Sequence, residues 1–261
     1  KLERESCGLA CVEAFEKVVR HHSDEICAVI IEPLVQGAAG MIIQPPGWLN
    51  AVWKIAKQYN LLFIADEVAT GFGRTGSMFA CEEEKISPDF MCVAKGITGG
   101  YLPLAATLST EKVFNGFLGG FDEFKTFFHG HTYTGNPVAC AVAVENIDLF
   151  KKEKLLQKLQ QKIALLSRGL DRFKELSHVG EVRQKGFMVG IELVKSRKTK
   201  RPYKPGEKIG QKVIWEARKR GVIIRPLGDV IVLMPPLAID KQTLEGLIDV
   251  TFESIKAVTG V

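Results

Sequence analysis

Apolar residues follow two different periods along this chain, and the period changes from segment to segment. Short continuous apolar runs predict β-strands that are buried on both faces. They lie at residues 26–33 (ICAVIIEP), 61–68 (LLFIADEV) and 89–96 (DFMCVAKG), with a further candidate at 104–110. Segments with apolar residues every three or four positions predict helices. These are residues 9–22, 46–60 and 136–150. Strands that alternate with helices predict an α/β domain with a mostly parallel sheet.

The pattern changes after Phe150, where the amphipathic segment 151–176 predicts one long helix. The remaining candidates are β-like runs at 179–194 and 221–236, a helix at 206–221 and a last helix at 241–256. This order predicts two domains. Residues 1–150 are expected to form the remainder of a large domain, and residues 151–261 a small α+β domain.

Bulk composition excludes several classes of protein. The chain has 261 residues, 46% of them hydrophobic, and a net charge of +5, without the concentrated basic face of a nucleic-acid-binding protein. Its densest basic run, residues 195–204, contains Pro and Ser and predicts an exposed loop. No apolar run approaches the length of a membrane span. The chain begins at Lys1 rather than Met, so its natural N-terminus is expected to lie upstream.

Six cysteines are scattered along the chain without any C-x-x-C pair. Cys27 and Cys92 lie inside apolar runs and are predicted to be small core residues. This distribution predicts a reducing compartment, the cytoplasm, rather than a disulfide framework.

Three glycines follow the strand candidate at 61–68 with the spacing G-x-G-x-x-G, namely Gly71, Gly73 and Gly76. This spacing is typical of the phosphate-binding turn of NAD enzymes. In those enzymes the first glycine ends the strand and a helix begins at the third. Here residues 66–70 intervene and no clear helical pattern follows Gly76. We therefore favour a flexible loop and keep an NAD-dependent dehydrogenase as the alternative.

Asp66 and Lys95 are chemically more informative, because each ends a predicted buried strand. Parallel strands present their carboxyl ends at one edge of the sheet, where ligands bind. A carboxylate there needs a partner, and Glu67 beside it is expected to point the other way. Lys95 is expected to be poorly solvated, which favours its neutral, nucleophilic amine. A structural ion pair between Asp66 and Lys95, with no role in catalysis, explains the two residues equally well. The same two residue types are those that pyridoxal phosphate requires: a lysine that bonds to it and an aspartate that faces its ring nitrogen.

Four segments together resemble the class III pyridoxal-phosphate aminotransferases. They are EPLVQGAAGM, LLFIADEVATGFGRTG, PDFMCVAKGITGG and FFHGHTYTGNPVACAVA, and their order and spacing agree over nearly the whole chain. The resemblance implies a fold-type-I transferase: a homodimer with shared active sites, small-molecule substrates and pyridoxal 5'-phosphate as cofactor. It also implies that this chain is the C-terminal part of a longer enzyme, with the family's phosphate loop upstream.

Two segments, VIIRPLGDVIVLMPPL and FHGHTYTGNP, are most similar to the biotin-pathway branch of that class. This similarity implies amination of 8-amino-7-oxononanoate to 7,8-diaminononanoate, with S-adenosylmethionine or lysine as amino donor. Ornithine- and aminobutyrate-type members carry a Glu just after QG and an Arg shortly before PP; the equivalents here are Ala38 and Val232. Because both the Glu and the Arg are absent, the biotin-pathway branch is favoured over those members. Another class III aminotransferase remains the alternative.

The resemblance also implies roles for individual residues of the cofactor site. Lys95 is similar to the lysine that bonds covalently to the cofactor and then moves a proton. Asp66 is similar to the aspartate that keeps the ring nitrogen protonated. Val68 would pack on the ring, and Gln36 would approach the phenolic oxygen of the cofactor.

Two further segments are implied to bind the cofactor phosphate and the substrate. His131 and Thr132 resemble the residues that one subunit lends to the other to hold the phosphate. Gly130 would line the substrate channel, and Arg225 would bind the substrate carboxylate. His129 and His131 form an H-x-H pair, but no third ligand is placed, so no metal site is predicted.

Overall fold

The helices and strands lie close to the segments that the sequence pattern predicts. The computed structural model describes residues 7–260. The helices are α1 (Ala10–His22), α2 (Trp48–Gln58), α3 (Ala80–Glu83), α4 (Glu111–Asn115), α5 (Pro137–Lys152), α6 (Leu155–Asp171), α7 (Ile209–Lys219) and α8 (Lys241–Thr259). The strands are β1 (Ala28–Ile31), β2 (Val35–Gln36), β3 (Ile42–Ile43), β4 (Leu62–Asp66), β5 (Phe90–Val93), β6 (Ala106–Ser109), β7 (Val179–Lys185), β8 (Met188–Leu193), β9 (Arg225–Leu227) and β10 (Val230–Leu233).

The chain divides into two compact units that interleave in sequence. The first unit runs to Leu34 and resumes over Gln44–Phe72 and Phe79–Glu153. The second comprises Val35–Ile43, Gly73–Met78 and the chain from Lys154 onward. Two short segments from the first half of the chain therefore belong to the C-terminal unit.

The first unit contains a sheet of order β1-β4-β5-β6, in which β1, β4 and β5 run parallel and β6 is antiparallel to β5. This confirms the predicted mostly parallel sheet. Phe63 and Ala65 are fully buried on one face of β4, and the residues that alternate with them are half-buried on the other. The register pairs Asp66, the last residue of β4, with Cys92 on β5. The carboxyl ends of β4 and β5 therefore meet at one edge of the sheet.

The expectation that residues 26–33 form a strand buried on both faces is wrong. β1 is half-exposed, and Ile30 is 66% exposed. Cys27 is exposed and Cys92 is half-buried, so neither is a core residue. Ile30 and Cys27 are exposed because β1 lies at the edge of the sheet among the described strands, whereas Cys92 lies on the interior strand β5. The buried cysteine is Cys81, and the cysteines described are all free thiols.

An ion pair between the buried carboxylate of Asp89 and the partly exposed amine of Lys57 stabilises the opposite edge of this sheet. Asp89 precedes β5 and is 7% exposed. Its Oδ2 accepts hydrogen bonds from Lys57 Nζ at 2.6 Å and from the Phe63 backbone N–H at 2.7 Å. Burial raises the pKa of the Asp89 carboxyl, but these two hydrogen bonds outweigh that effect and leave the pKa below its ordinary value.

Replacing Asp89 with Asn is expected to lower the free energy of unfolding at neutral pH by about 2 kcal/mol, because it removes hydrogen bonds to a charged group. The folded pKa of Asp89 is below the unfolded value of about 4, so the carboxylate stabilises the fold above pH 4. That contribution is lost as the pH falls through the folded pKa. Urea unfolding at pH 7 and pH 3 measures this; an equal difference between variant and wild type at both pH values contradicts it.

The second unit is built on an antiparallel sheet of order β7-β8-β10-β9. Fully buried residues of the sheet, such as Val189, Ile191 and Ile231, pack with Leu166 of α6 and Leu244 of α8. The runs 179–194 and 221–236 each form a hairpin rather than one strand. Each turns at a glycine with positive φ: Gly186 (φ 57°) and Gly228 (φ 59°).

The predicted helix at 151–176 is interrupted near its start. α5 continues to Lys152, and α6 begins at Leu155 after Lys154 in a left-handed conformation (φ 51°). The basic run 195–204 is confirmed as a largely exposed loop, closed by a bridge between Ser196 and Arg201. Among the described residues, no helix is both long enough and apolar enough to span a membrane.

Candidate active site

Asp66 ends β4 and presents its carboxylate at the carboxyl edge of the sheet. The side chain is half-buried, and its Oδ1 accepts a hydrogen bond from the Val68 backbone N–H at 3.1 Å. This local bond bends the chain away from the strand immediately after Asp66. The carboxylate is therefore oriented by its own turn, and Val68 is half-buried directly beside it.

Lys95 lies three residues beyond Cys92, the β5 residue that is paired with Asp66. β5 ends at Val93, and Lys95 begins a short 3₁₀ turn, Lys95–Thr98, with φ 46°. Its side chain is exposed in this chain, so the expected desolvation is not present. The reason is that the chain leaves the sheet after Val93 and turns before Lys95, which carries the amine out of the core.

An ion pair is not the explanation for Asp66 and Lys95. Both residues lie in the described part of the chain, and no ion pair or side-chain hydrogen bond joins them. The Lys95 amine has no bonded partner among residues 7–260. A carboxylate oxygen of Asp66 and the amine of Lys95 are therefore both available to a ligand at the ends of adjacent strands.

Glu67 fixes the segment that carries Asp66. It is fully buried, as expected for a side chain on the opposite side of the strand from Asp66. Its carboxylate accepts hydrogen bonds from Thr70 Oγ1 at 2.5 Å and from the Cys81 backbone N–H at 2.8 Å. Burial and the neighbouring Glu67 raise the pKa of the Cys81 thiol far above its usual range, so Cys81 stays protonated.

Asn146 and Phe72 hold the turn that begins at Lys95. Asn146 Nδ2, on α5, donates to the carbonyls of Gly96 at 2.8 Å and Ile97 at 3.1 Å. A Cβ on Gly96 would lie 2.7 Å from the Cβ of Phe72, so only glycine fits there. The residue after Lys95 is therefore fixed both by a side chain from α5 and by close packing.

The glycine-rich loop does not have the structure of a dinucleotide-binding turn. Gly73 and Gly76 have φ values of 88° and 111°, and the next helix is the four-residue α3, which begins at Ala80. A Cβ on Gly71 would lie 2.8 Å from the Glu67 carbonyl oxygen. These glycines allow tight turns where the chain passes from one unit to the other, and the NAD alternative loses its structural basis.

Gln36 and Arg225 belong to the second unit. Gln36 is half-buried at the end of β2, opposite Ile42 of β3. Arg225 begins β9 rather than ending a strand, and it is exposed because β9 is an edge strand. Arg225 lies directly opposite Val232 on β10.

Gly130, His131 and Thr132 lie on an exposed part of the first unit. The His131 backbone N–H donates to Thr134 Oγ1 at 3.0 Å, and His131 Nδ1 accepts from the Tyr133 N–H at 3.2 Å. These bonds close a local turn and leave the Thr132 side chain exposed. The predicted role of this loop in a second subunit's site stays a prediction.

Comparison with known proteins identifies the family. The family model described as "Aminotransferase class-III" matches residues 1–255. This chain belongs to the class III aminotransferases. Asp66 and Lys95 both lie within that match.

Individual relatives agree with the class III assignment. The chain is 55% identical over 258 residues to the adenosylmethionine-8-amino-7-oxononanoate aminotransferase of Nitratidesulfovibrio vulgaris, covering 99% of this chain and 48% of the relative. It is 52% identical to the enzyme of the same name from Geobacter sulfurreducens, covering 98% of this chain and 56% of that one. This chain thus spans about half the length of the curated relatives it matches.

A solved structure shows the same fold. The crystal structure of adenosylmethionine-8-amino-7-oxononanoate aminotransferase from Methanocaldococcus jannaschii superposes with a TM-score of 0.92 at 46% identity, covering 95% of this chain and 57% of that one. The predicted fold-type-I class is therefore confirmed.

The residues present fit pyridoxal phosphate, the cofactor of class III aminotransferases. That cofactor needs a carboxylate against its ring nitrogen and a primary amine at its reactive carbon. Asp66 provides a carboxylate with one oxygen bonded to its own turn, and Lys95 provides an amine without a partner among the described residues. No group of three or more metal-ligating side chains lies among residues 7–260.

Proposed function

We propose that this chain is the C-terminal part of a pyridoxal-phosphate-dependent aminotransferase that aminates 8-amino-7-oxononanoate to 7,8-diaminononanoate in biotin synthesis. The proposed amino-transfer chemistry is supported by the position of Asp66 and Lys95 at the carboxyl ends of paired parallel strands. The proposed substrate is supported by the similarity to several relatives named for that reaction.

Asp66, Lys95 and Val68 have distinct tasks in this proposal. When bound, pyridoxal phosphate supplies an electrophilic carbon and a ring that accepts electrons. The Asp66 carboxylate would hold a proton on the ring nitrogen. The Lys95 amine would hold the cofactor and, once free, would take the proton from the α-carbon of the amino donor. Val68, beside Asp66, would pack against the ring.

Substrate binding is proposed for the second unit. The Arg225 side chain is exposed and has no hydrogen-bond or ion-pair partner among the described residues, so its planar fork is available to a carboxylate. Gly130, which belongs to the first unit, would line the substrate channel. S-adenosylmethionine, which the names of the relatives contain, is the proposed amino donor, with lysine as the competing candidate.

We also propose that the enzyme is a homodimer that shares its active sites. The segment 101–133 exposes many large apolar side chains, more than a monomer's surface normally leaves in water. They are Tyr101, Leu108, Phe114, Phe117, Leu118, Phe121, Phe124, Phe127, Phe128 and Tyr133. His131 and Thr132 lie in this segment, where a second subunit would bring them to its own cofactor phosphate. The free cysteines support a reducing compartment, the cytoplasm.

The proposed function is tested on full-length protein loaded with pyridoxal phosphate. Mass spectrometry should detect 7,8-diaminononanoate from 8-amino-7-oxononanoate with S-adenosylmethionine, lysine and ornithine supplied separately as donors. Product formation with S-adenosylmethionine or lysine supports the proposal. Turnover of aminobutyrate or ornithine with a simple keto acid, and none of 8-amino-7-oxononanoate, would assign the chain to another class III activity.

Replacing Arg225 with Ala is expected to raise the apparent KM for 8-amino-7-oxononanoate by about one to three powers of ten, because the substrate carboxylate loses its charged hydrogen-bonding partner. Arg225→Lys keeps the charge without the fork and should lie between. The visible spectrum of the bound cofactor should not change. Steady-state kinetics on the three proteins decide this, with Arg220→Ala as the control because Arg220 pairs with Glu216 on the surface. One shared KM for all of them would make Arg225 a structural residue.

A further inference from the structure

A buried arginine organises the turn of the β2–β3 hairpin. Arg183 lies on β7 and is 6% exposed. Its Nε donates to the Met41 carbonyl at 3.1 Å, and its Nη2 donates to the Gly40 carbonyl at 2.8 Å. Its Nη1 donates to the carboxylates of Glu181, at 2.8 Å, and of Glu192. One guanidinium therefore ties the hairpin turn to the sheet through two hydrogen bonds and is itself held by two more to carboxylates of the sheet.

The register of the sheet explains why this position needs a cation. Glu181 and Glu192 lie directly opposite each other on β7 and β8. Like charges in that position destabilise a sheet. Arg183 bonds to both carboxylates and so converts a repulsion into an attraction. A buried cation that is paired and hydrogen-bonded in this way also avoids most of its desolvation cost.

The turn Gly37–Met41 has a backbone that depends on such support. Gly40 and Met41 have φ values of 105° and 55°, and the left-handed region is unfavourable for methionine. The N–H groups of both residues donate to the Gly37 carbonyl, at 3.1 and 3.0 Å. Their own carbonyls are the ones that Arg183 binds.

Gly190 on β8 lets the turn approach the sheet closely. It lies directly opposite Arg183. A Cβ at Gly190 would lie 2.9 Å from the Cβ of Met41 and 3.2 Å from the Gly40 carbonyl oxygen. Both a polar clamp and close packing therefore fix the turn at one place on the sheet.

We propose that Arg183 is a positioning residue for the cofactor site, because fixing this turn also fixes Gln36, the residue immediately before it. The inference rests on the proposed function, in which Gln36 approaches the phenolic oxygen of pyridoxal phosphate. Arg183 itself touches neither cofactor nor substrate. Its effect on the chemistry passes through Gln36.

The first test measures the turn itself, by hydrogen–deuterium exchange on full-length protein. Arg183→Lys keeps a positive charge between the two glutamates but cannot bridge both carbonyls. The exchange rates of the amides in residues 37–43 should rise about ten- to a hundredfold. This factor corresponds to the free energy of one lost hydrogen bond to a charged group. Arg172→Lys is the matched control, because Arg172 pairs with Asp249 at 2.7 Å in the same unit. Unchanged exchange at 37–43 overturns the proposal.

The second test separates positioning from general stability with a double-mutant cycle. The visible absorbance maximum of bound pyridoxal phosphate, and its shift with pH, are measured for wild type, Arg183→Lys, Gln36→Leu and the double variant. If Arg183 acts through Gln36, its substitution changes the spectrum in the wild type and adds little in Gln36→Leu. Additive effects, or no effect of Arg183→Lys alone, contradict the proposal.

A further variant covers the case in which Arg183→Lys does not fold. Gly190→Ala keeps Arg183 and displaces the turn by crowding, so it should produce a spectral change that Gln36→Leu likewise suppresses. Failure of the proposed function gives a different result. A different substrate leaves the spectral cycle unchanged but yields no 7,8-diaminononanoate, and a wrong cofactor leaves wild-type protein without bound pyridoxal phosphate. Failure of the inference alone leaves cofactor binding and product formation intact and the cycle additive.

Discussion

Lys95→Ala is expected to abolish amino transfer while the protein still folds. Lys95 is exposed at the start of its turn and has no bonded partner among the described residues, so its loss disturbs no packing. The variant would lack both the amine that bonds to the cofactor and the base that moves the proton. Turnover should fall by about four powers of ten, the upper end for one general acid–base group.

The measurement combines single-turnover kinetics with borohydride reduction in the presence of pyridoxal phosphate, followed by peptide mass mapping. In wild type the reduced label should be found on residue 95; in the variant it should be absent. Lys85→Ala is the control, because Lys85 is also an exposed lysine in a left-handed conformation (φ 53°) in the same unit. A label that persists in Lys95→Ala would exclude Lys95 as the bonded lysine.

Asp66→Asn is expected to retain the cofactor and to lose about two to three powers of ten in the rate of proton removal from the donor. The asparagine keeps the size of the side chain and an oxygen that can still accept the Val68 N–H. It removes the negative charge that holds a proton on the ring nitrogen. Loss of one preorganised electrostatic partner in an active site typically has an effect of about this size.

The α-deuterated donor identifies the affected step, because its isotope effect should increase in Asp66→Asn when proton removal becomes rate-limiting. Asp89→Asn provides the comparison: Asp89 lies at the opposite end of β5, and its substitution should alter stability but not turnover by folded protein. A turnover number for Asp66→Asn within a few-fold of wild type would remove Asp66 from the mechanism.

The sequence pattern predicted the backbone of the site better than its surroundings. The alternation of buried strands and helices was sufficient to place Asp66 and Lys95 at the same edge of a parallel sheet, because parallel strands share that edge. It could not predict that β1 and β9 are edge strands. That property depends on which strands pair, and it decides the exposure of Ile30 and Arg225.

The polar residues that hold the site in place were missed for a different reason. Arg183 bonds to Met41 across 142 positions of sequence, and Asn146 bonds to Gly96 across 50. The repeat of apolar residues in a strand or a helix gives no information on hydrogen-bond partners that are so distant in sequence. A weaker local signal exists for Glu67, since a charged residue at an inward position of a buried strand needs bonded partners.

Lys95 has a left-handed backbone, which lowers the stability of the fold at the residue proposed to carry the chemistry. A side chain with a Cβ at φ 46° is strained relative to glycine by about 1–2 kcal/mol. Selection for stability alone would therefore favour glycine at residue 95. If Lys95 has the proposed role, Lys95→Gly should raise the free energy of unfolding and abolish amino transfer in the same protein.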